Sequence, residues 1–140
     1  MTAVWGPQLW KLLHSIGSQG ISPMPHTRVD AARQLKWLFD NLERIIPCRE
    51  CELHTREYKK KTPLPDTDYK KWVFDFHNSV NIRLRKPVVE DPEYPAVNIL
   101  EAWRVYTQIL EDSLLKGRVK GDAVKDFGRH LRLWASFSGL

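Results

Sequence analysis

Apolar residues recur at helical spacing along almost the whole chain, and this restricts the fold more than any other feature. Trp5, Leu9, Leu12, Leu13 and Ile16 lie on one helical face, as do Leu35, Leu38, Phe39, Leu42, Ile45 and Ile46. Val73, Phe76, Val80 and Leu84 repeat the pattern, followed by Ile99, Trp103, Tyr106 and Leu110, and last by Val124, Phe127, Leu131 and Trp134. Each stripe must be buried against a neighbour, whereas no run of β-branched residues alternates with the period of a strand. Loops are expected at Gly17 to Pro25, Pro63 to Asp68, Pro87 to Pro95 and Gly117 to Gly121. The spacing therefore predicts helices near 3–17, 27–46, 48–60, 68–86, 96–116 and 122–136. Pro47 is expected to close the second, because a residue before proline avoids the α region, and Asp66 or Asp68 can cap the fourth. Short connections favour antiparallel neighbours, so the expected fold is an all-α helical bundle.

The chain has 140 residues, the size of one domain able to bury a core without disulfide staples. A 42% hydrophobic and 28% charged composition excludes a disordered or fibrous chain. No apolar run approaches the roughly 18 residues of a spanning helix. The first residues lack a basic segment followed by an apolar stretch, so a soluble, cytoplasmic protein is expected, with no membrane partner. Net charge is +5, from 22 Lys+Arg against 17 Asp+Glu, which suits an anionic ligand. The runs Lys59-Lys60-Lys61 and Lys70-Lys71 are expected at solvated helix ends. Acids at Asp66, Asp68, Glu90, Asp91 and Glu93 interrupt the basic stripe that a nucleic acid would need, so none is expected as a partner.

Three clusters carry chemistry. The two cysteines form Pro47-Cys48-Arg49-Glu50-Cys51. Pro47 breaks the preceding helix and puts Cys48 at the start of the next, where backbone N–H groups and the helix dipole favour a thiolate. Sulfurs at i and i+3 can bond, which is the geometry of a redox dithiol. The same spacing also allows zinc, with Cys48, Cys51, His54 and a fourth ligand from His77, or two buried structural cysteines in a basic helical adaptor. The second cluster runs from His77 to Pro87, with His77, Asn81 and Leu84 on one face and Arg83, Arg85 and Lys86 at the helix end. Amide and imidazole suit the edges of a nucleotide ring, and the cations suit its phosphates. The third cluster holds Trp10 and His14 one turn apart, two flat rings able to cover an aromatic base.

Together, and in this order, the clusters resemble the FAD-linked sulfhydryl oxidases of the Erv/ALR family. The matching motifs are Trp-Gly-x3-Trp-x3-His from Trp5 to His14, Pro-Cys-x-x-Cys from Pro47 to Cys51, and His-Asn-x-Val-Asn-x-x-Leu-x-Lys-Pro from His77 to Pro87. The compact length is similar to the versions encoded by large DNA viruses. The resemblance implies a four-helix bundle holding FAD, with a short fifth helix. It implies an oxidase core over residues 1–95, with 96–140 as a helical extension packed on that core or at a subunit interface. It further implies that Cys51 faces the flavin while Cys48 exchanges with substrate thiols. Gly6, Trp10, His14, His54, His77, Asn78, Val80, Asn81, Leu84, Lys86 and Tyr94 are the implied cofactor-binding residues.

The implied activity is disulfide formation in thiol-containing protein substrates, with electrons passing to FAD and then to oxygen as hydrogen peroxide. The implied setting is the cytoplasm, or a virion, and the implied assembly is a homodimer. Two departures stand out. There is no third cysteine for a shuttle disulfide, so either Cys48 meets substrates directly or a separate redox protein relays electrons. Pro7 stands where relatives often have arginine.

Overall fold

The computed structural model describes residues 2–21, 23–88 and 97–140. Tyr94 and most of the proline-rich stretch expected to be irregular, 89–96, lie outside the described residues. The described residues are helical, with no strand. In chain order the elements are α1 (Thr2–Gln19), α2 (Arg28–Asp40), a 3-10 turn (Leu42–Ile45), α3 (Arg49–Lys61), α4 (Tyr69–Arg83), α5 (Ile99–Ile109), α6 (Glu111–Leu115) and α7 (Gly121–Phe137). None is long and apolar enough to cross a membrane.

Three helix boundaries depart from the expected ones. The second helix stops at Asp40 rather than Ile46. The Asn41 amide side chain donates to the Trp37 carbonyl at 2.9 Å, beside the Asn41 backbone N–H at 3.0 Å. Such local side-chain bonding competes with helix propagation, and the chain continues as the 3-10 turn. The fourth helix stops at Arg83 rather than Lys86. Pro87 has no N–H to offer the Arg83 carbonyl, and it pushes Lys86 out of the α region. The end is closed by paired bonds, Lys86 N–H to the Asn81 carbonyl at 2.8 Å and Arg85 N–H to the Ile82 carbonyl at 3.1 Å. Arg85 takes φ +57° to make them, in a position that glycine fills more cheaply. Leu110 separates α5 from α6 within the segment expected as one helix. Asp68 is the cap of α4, accepting from Lys71 N–H at 3.0 Å.

Helix α1 lies against α4 and α5, α2 packs on α7, and the 3-10 turn sits between α3 and α7. Close approach is possible because a Cβ on Gly17 would meet the Tyr69 carbonyl oxygen at 3.1 Å. One continuous core results. The C-terminal aromatic stripe is buried within it, with Tyr106, Leu110 and Trp134 fully enclosed. The Tyr106 hydroxyl donates to the Ile45 carbonyl at 2.7 Å, and Trp134 Nε1 donates to the Gly20 carbonyl at 3.2 Å.

Lys59 departs from its expected place on a solvated helix end. Its ammonium donates to the Phe39 and Asp40 carbonyls at 3.1 and 2.8 Å, and it pairs with the Glu43 carboxylate at 2.5 Å. It thus ties α3 to the C-terminal carbonyls of α2, where a cation is favoured. Lys60 and Lys61 are exposed.

Two outcomes follow for equilibrium urea unfolding. Lys59→Gln should cost about 1–3 kcal/mol, because the orphaned Phe39 carbonyl and Glu43 are partly buried, whereas Lys60→Gln should stay within about 0.5 kcal/mol of the parent. Arg85→Gly should stabilise by about 1 kcal/mol through relief of the left-handed backbone.

Candidate active site

The start of α3 presents the two sulfurs to different surroundings. Cys48 is the cap residue, with extended backbone (φ −141°, ψ 116°), and its Sγ accepts the Cys51 N–H at 3.3 Å. This sulfur is half-buried, whereas Cys51 is 8% exposed. The Cys51 side chain forms part of the wall of a cleft about 400 Å³ in volume, bounded by the first half of α1, the start of α3 and the last half of α4. Burial pushes the Cys51 thiol above its ordinary pKa, and contact with Cys48 adds to this. Opposing both, Arg83 Nη2 donates to Cys51 Sγ at 3.3 Å. One turn further on, the Thr55 hydroxyl donates to the Cys51 carbonyl at 2.8 Å.

The opposite wall is aromatic. Trp10 from α1 and His77 from α4 stack with centroids 3.9 Å apart and planes within 10°. Phe76 lies against Trp10 at 5.4 Å. Trp10 and His14, expected to cover an aromatic base together, sit at 6.1 Å with planes tilted by 45°. The stacking partner comes from the neighbouring helix. His14 lies behind it, its Nε2 2.9 Å from His77 Nδ1, and faces a second groove with Ser15, Ser18 and Asn98.

Of the residues singled out in the sequence, Gly6, Trp10, Cys51, His77, Val80, Asn81, Leu84 and Lys86 line the cleft. Cys48, His14, His54 and Asn78 do not. Asn78 Oδ1 accepts from Asn81 Nδ2 at 3.3 Å, behind the wall, and His54 Nε2 meets the Ser79 hydroxyl at 3.1 Å. The zinc arrangement therefore fails. His54 and His77 are engaged with different partners, and among the described residues no three His, Cys, Asp or Glu side chains converge on a metal position. Arg83, expected with the phosphates, lines the cleft too, beside Cys51, and the cleft also uses Trp5, Leu9, Ile46, Thr55 and Phe76, to which the sequence assigns no ligand contact. Three were findable by helical spacing. Trp5 and Leu9 are one turn apart on the side of α1 that carries Gly6, and Thr55 is one turn from Cys51.

FAD offers a flat ring system rich in acceptors and an anionic pyrophosphate, and the lining can be tested against it. Trp5 Nε1 and Arg83 Nε are buried donors without a partner in this structure, and both residues line the cleft. Buried donors are seldom left so, and ring acceptors would satisfy them. The Trp10–His77 stack matches a flat conjugated system, Val80 and Leu84 add apolar surface, and Lys86 supplies positive charge at the rim. The residues present fit the group.

Burial holds both imidazoles neutral near pH 7. His14 and His77 each titrate at about 4, depressed by burial first, then by His77 for the one and Lys86 for the other. The unfolded chain therefore binds protons between pH 6.5 and 4 that the folded chain refuses. Stability is complete above the unfolded pKa and is lost as pH falls through this window. Urea midpoints measured from pH 7 to 4 should show this slope, and a His14→Gln/His77→Phe double variant should flatten it.

Comparison with known proteins gives the same direction. The model of the Erv1 / Alr family matches residues 7–104. A protein of African swine fever virus named FAD-linked sulfhydryl oxidase is 31% identical over 115 residues, covering 80% of this chain and 84% of that protein. The FAD-linked sulfhydryl oxidase ERV1 of Oryza sativa subsp. japonica is 31% identical over 101 residues, 70% of this chain and 48% of its own length. No solved structure matches. The family match runs from α1 into α5, so it takes in all of the cleft lining but Trp5 and Gly6, with the cysteine pair, and on this ground the chain belongs to the Erv1 / Alr family.

Proposed function

We propose that this chain is a FAD-dependent thiol oxidase in which Cys48 and Cys51 are the redox pair. One observation carries the reading: two cysteines three apart at a helix start, one half-exposed and the other in the wall of a cleft floored by stacked rings. A substrate thiolate attacks Cys48 Sγ of the Cys48–Cys51 disulfide. The S–S bond breaks, and its electron pair goes to Cys51 Sγ. A second substrate thiolate then attacks the substrate sulfur of the mixed disulfide and releases Cys48 as a thiolate, which the Cys51 N–H is placed to receive. Two substrate thiols have become a disulfide, and the Cys48/Cys51 pair holds two electrons. FAD, held in the cleft, would supply the acceptor for that pair, with oxygen as the final acceptor and hydrogen peroxide as product.

The remaining residues take supporting roles in this reading. Trp10, His77, Val80 and Leu84 hold a flat ring and exclude water, Gly6 leaves room for it, and Lys86 offers charge to the phosphates. His14 steadies the His77 ring through the bond between them, Asn78 steadies Asn81, and His54 braces Ser79 from outside the cleft. Residues 1–95 are then the oxidase core, and 96–140 the extension that packs on it. Substrate thiols exchange directly at Cys48, or a separate protein relays electrons to it. Assembly as a homodimer, and activity in the cytoplasm or in a virion, rest on the likeness to viral oxidases.

Cys51→Ser should keep its yellow flavin yet lose thiol-dependent oxygen uptake to the level of free FAD. Absorbance spectra and an oxygen electrode check both. Turnover retained in that variant would overturn the assignment of Cys51, and a protein that stays colourless after incubation with FAD would overturn the oxidase itself. His77→Ala and Asn81→Ala should weaken flavin retention by about tenfold or more, equivalent to about 1.4 kcal/mol.

A further inference from the structure

A disulfide that opens inside a cleft wall leaves a negative charge where water is scarce. Cys51 Sγ is that place. The residue is 8% exposed, and burial alone disfavours a thiolate there. Of the ionisable groups that face Cys51, Cys48 lies on its own helix, Tyr106 comes from α5, and Arg83 comes from α4. Among these Arg83 alone is a cation.

Arg83 occupies an unusual position for a terminal helix residue. It is the last residue of α4, where a cation is ordinarily turned toward solvent and the helix carbonyls. Here its Nη2 is 3.3 Å from Cys51 Sγ, across 32 residues of sequence. Its Nε is buried and has no partner in this structure, and the side chain lines the same cleft as Cys51. The guanidinium is planar, permanently charged, and carries donors on different edges, so it can serve a sulfur and a second acceptor together.

We propose that Arg83 is a catalytic residue that stabilises the Cys51 thiolate through Nη2 when the Cys48–Cys51 bond opens, while its Nε donates to the ligand held in the cleft. The step balances within the thiol exchange described above. The substrate thiolate forms a bond to Cys48 Sγ, the S–S bond breaks, and the electron pair arrives on Cys51 Sγ beside a fixed positive charge. No proton is needed at that sulfur, so the leaving group departs as an anion, and a stabilised anion leaves faster. Bidentate use also explains arginine rather than lysine at this position, since an ammonium offers one point charge and no second edge.

This inference rests on the reading that Cys51 is the sulfur that takes the electron pair, so its test reads the sulfur directly. The full-length, flavin-loaded protein carrying Cys48→Ser leaves Cys51 as its single thiol. Its rate of alkylation by iodoacetamide across pH, followed by mass spectrometry, reports the Cys51 thiolate. Adding Arg83→Met should shift that profile upward by about one pH unit, which slows alkylation about tenfold near neutrality. Arg83→Lys should recover most of the shift, because the charge returns, but should retain flavin less well than the parent, because the second donor does not. If Arg83→Met fails to fold, Arg83→Gln replaces it with the same expectation. An alkylation profile unmoved by loss of the charge overturns the proposal and leaves Arg83 as a helix-end residue, for which only the unfolding midpoint should fall. A Cys51→Ser enzyme that still turns over would overturn the assignment of Cys51 as the sulfur that takes the electron pair instead, and a shifted profile would stand apart from that failure.

Discussion

Where α1 passes α4, Gly17 has no side chain to hold the helices apart, and the rest of the site depends on that approach. A Cβ there would meet the Tyr69 carbonyl at 3.1 Å and Val73 at the same distance. With the helices this close, His14 and His77 bond at 2.9 Å, and His77 comes face to face with Trp10. The stack is the aromatic wall of the cleft, and the imidazole pair locks its angle from behind. Both rings are neutral because burial penalises their charged forms, so one shared proton can bridge them without repulsion. Close backbone approach, ring orientation and protonation state are thus links of one arrangement.

A second set of contacts aims the cysteine pair at that wall. Asn41 diverts the chain out of α2, and the 3-10 turn that follows brings Ile45 to the Tyr106 hydroxyl. Pro47 then separates this turn from α3. Lys59, one helix length further, fastens α3 back to the end of α2 and to Glu43. The orientation of α3 is therefore held at both ends by polar contacts within a largely apolar core. Helices α5 and α7 take part by burying the turn, so the C-terminal segment supports the region that carries the sulfurs.

The two halves of the cleft treat charge in opposite ways. On the aromatic side, desolvation removes it, leaving neutral imidazoles suited to packing against a flat ring. On the sulfur side, desolvation raises the Cys51 thiol, and a guanidinium 3.3 Å away works against that shift. Both effects arise from the same burial. Their outcomes differ because a nearby cation favours the anionic form of the thiol, whereas Lys86 disfavours the cationic form of His77.

Much of this was legible in the sequence. The apolar stripes at helical spacing determined an all-α chain, because each stripe must find a partner. The Pro-Cys-x-x-Cys, Trp-Gly-x3-Trp-x3-His and His77-to-Pro87 motifs marked most of the cleft, because spacing along a helix determines which side chains share a face. The places where the reading fell short are places where a side chain meets another element. Nothing local indicates that Asn41 would turn on the Trp37 carbonyl, or that Lys59 would reach the end of α2 instead of solvent. The one-turn spacing puts Trp10 and His14 on a shared face, but nothing local shows that Trp10 stacks on His77, 67 positions away. Arg83 was assigned to phosphates at the helix end, and it lies on the Cys51 sulfur. Helical periodicity, capping and the chemistry of the motif residues belonged to the sequence alone, since they act over one or two turns of chain. Which ring stacks on which, which imidazole is shielded and which thiol faces a cation were decided only by the tertiary structure, because contacts between helices depend on how closely their backbones approach.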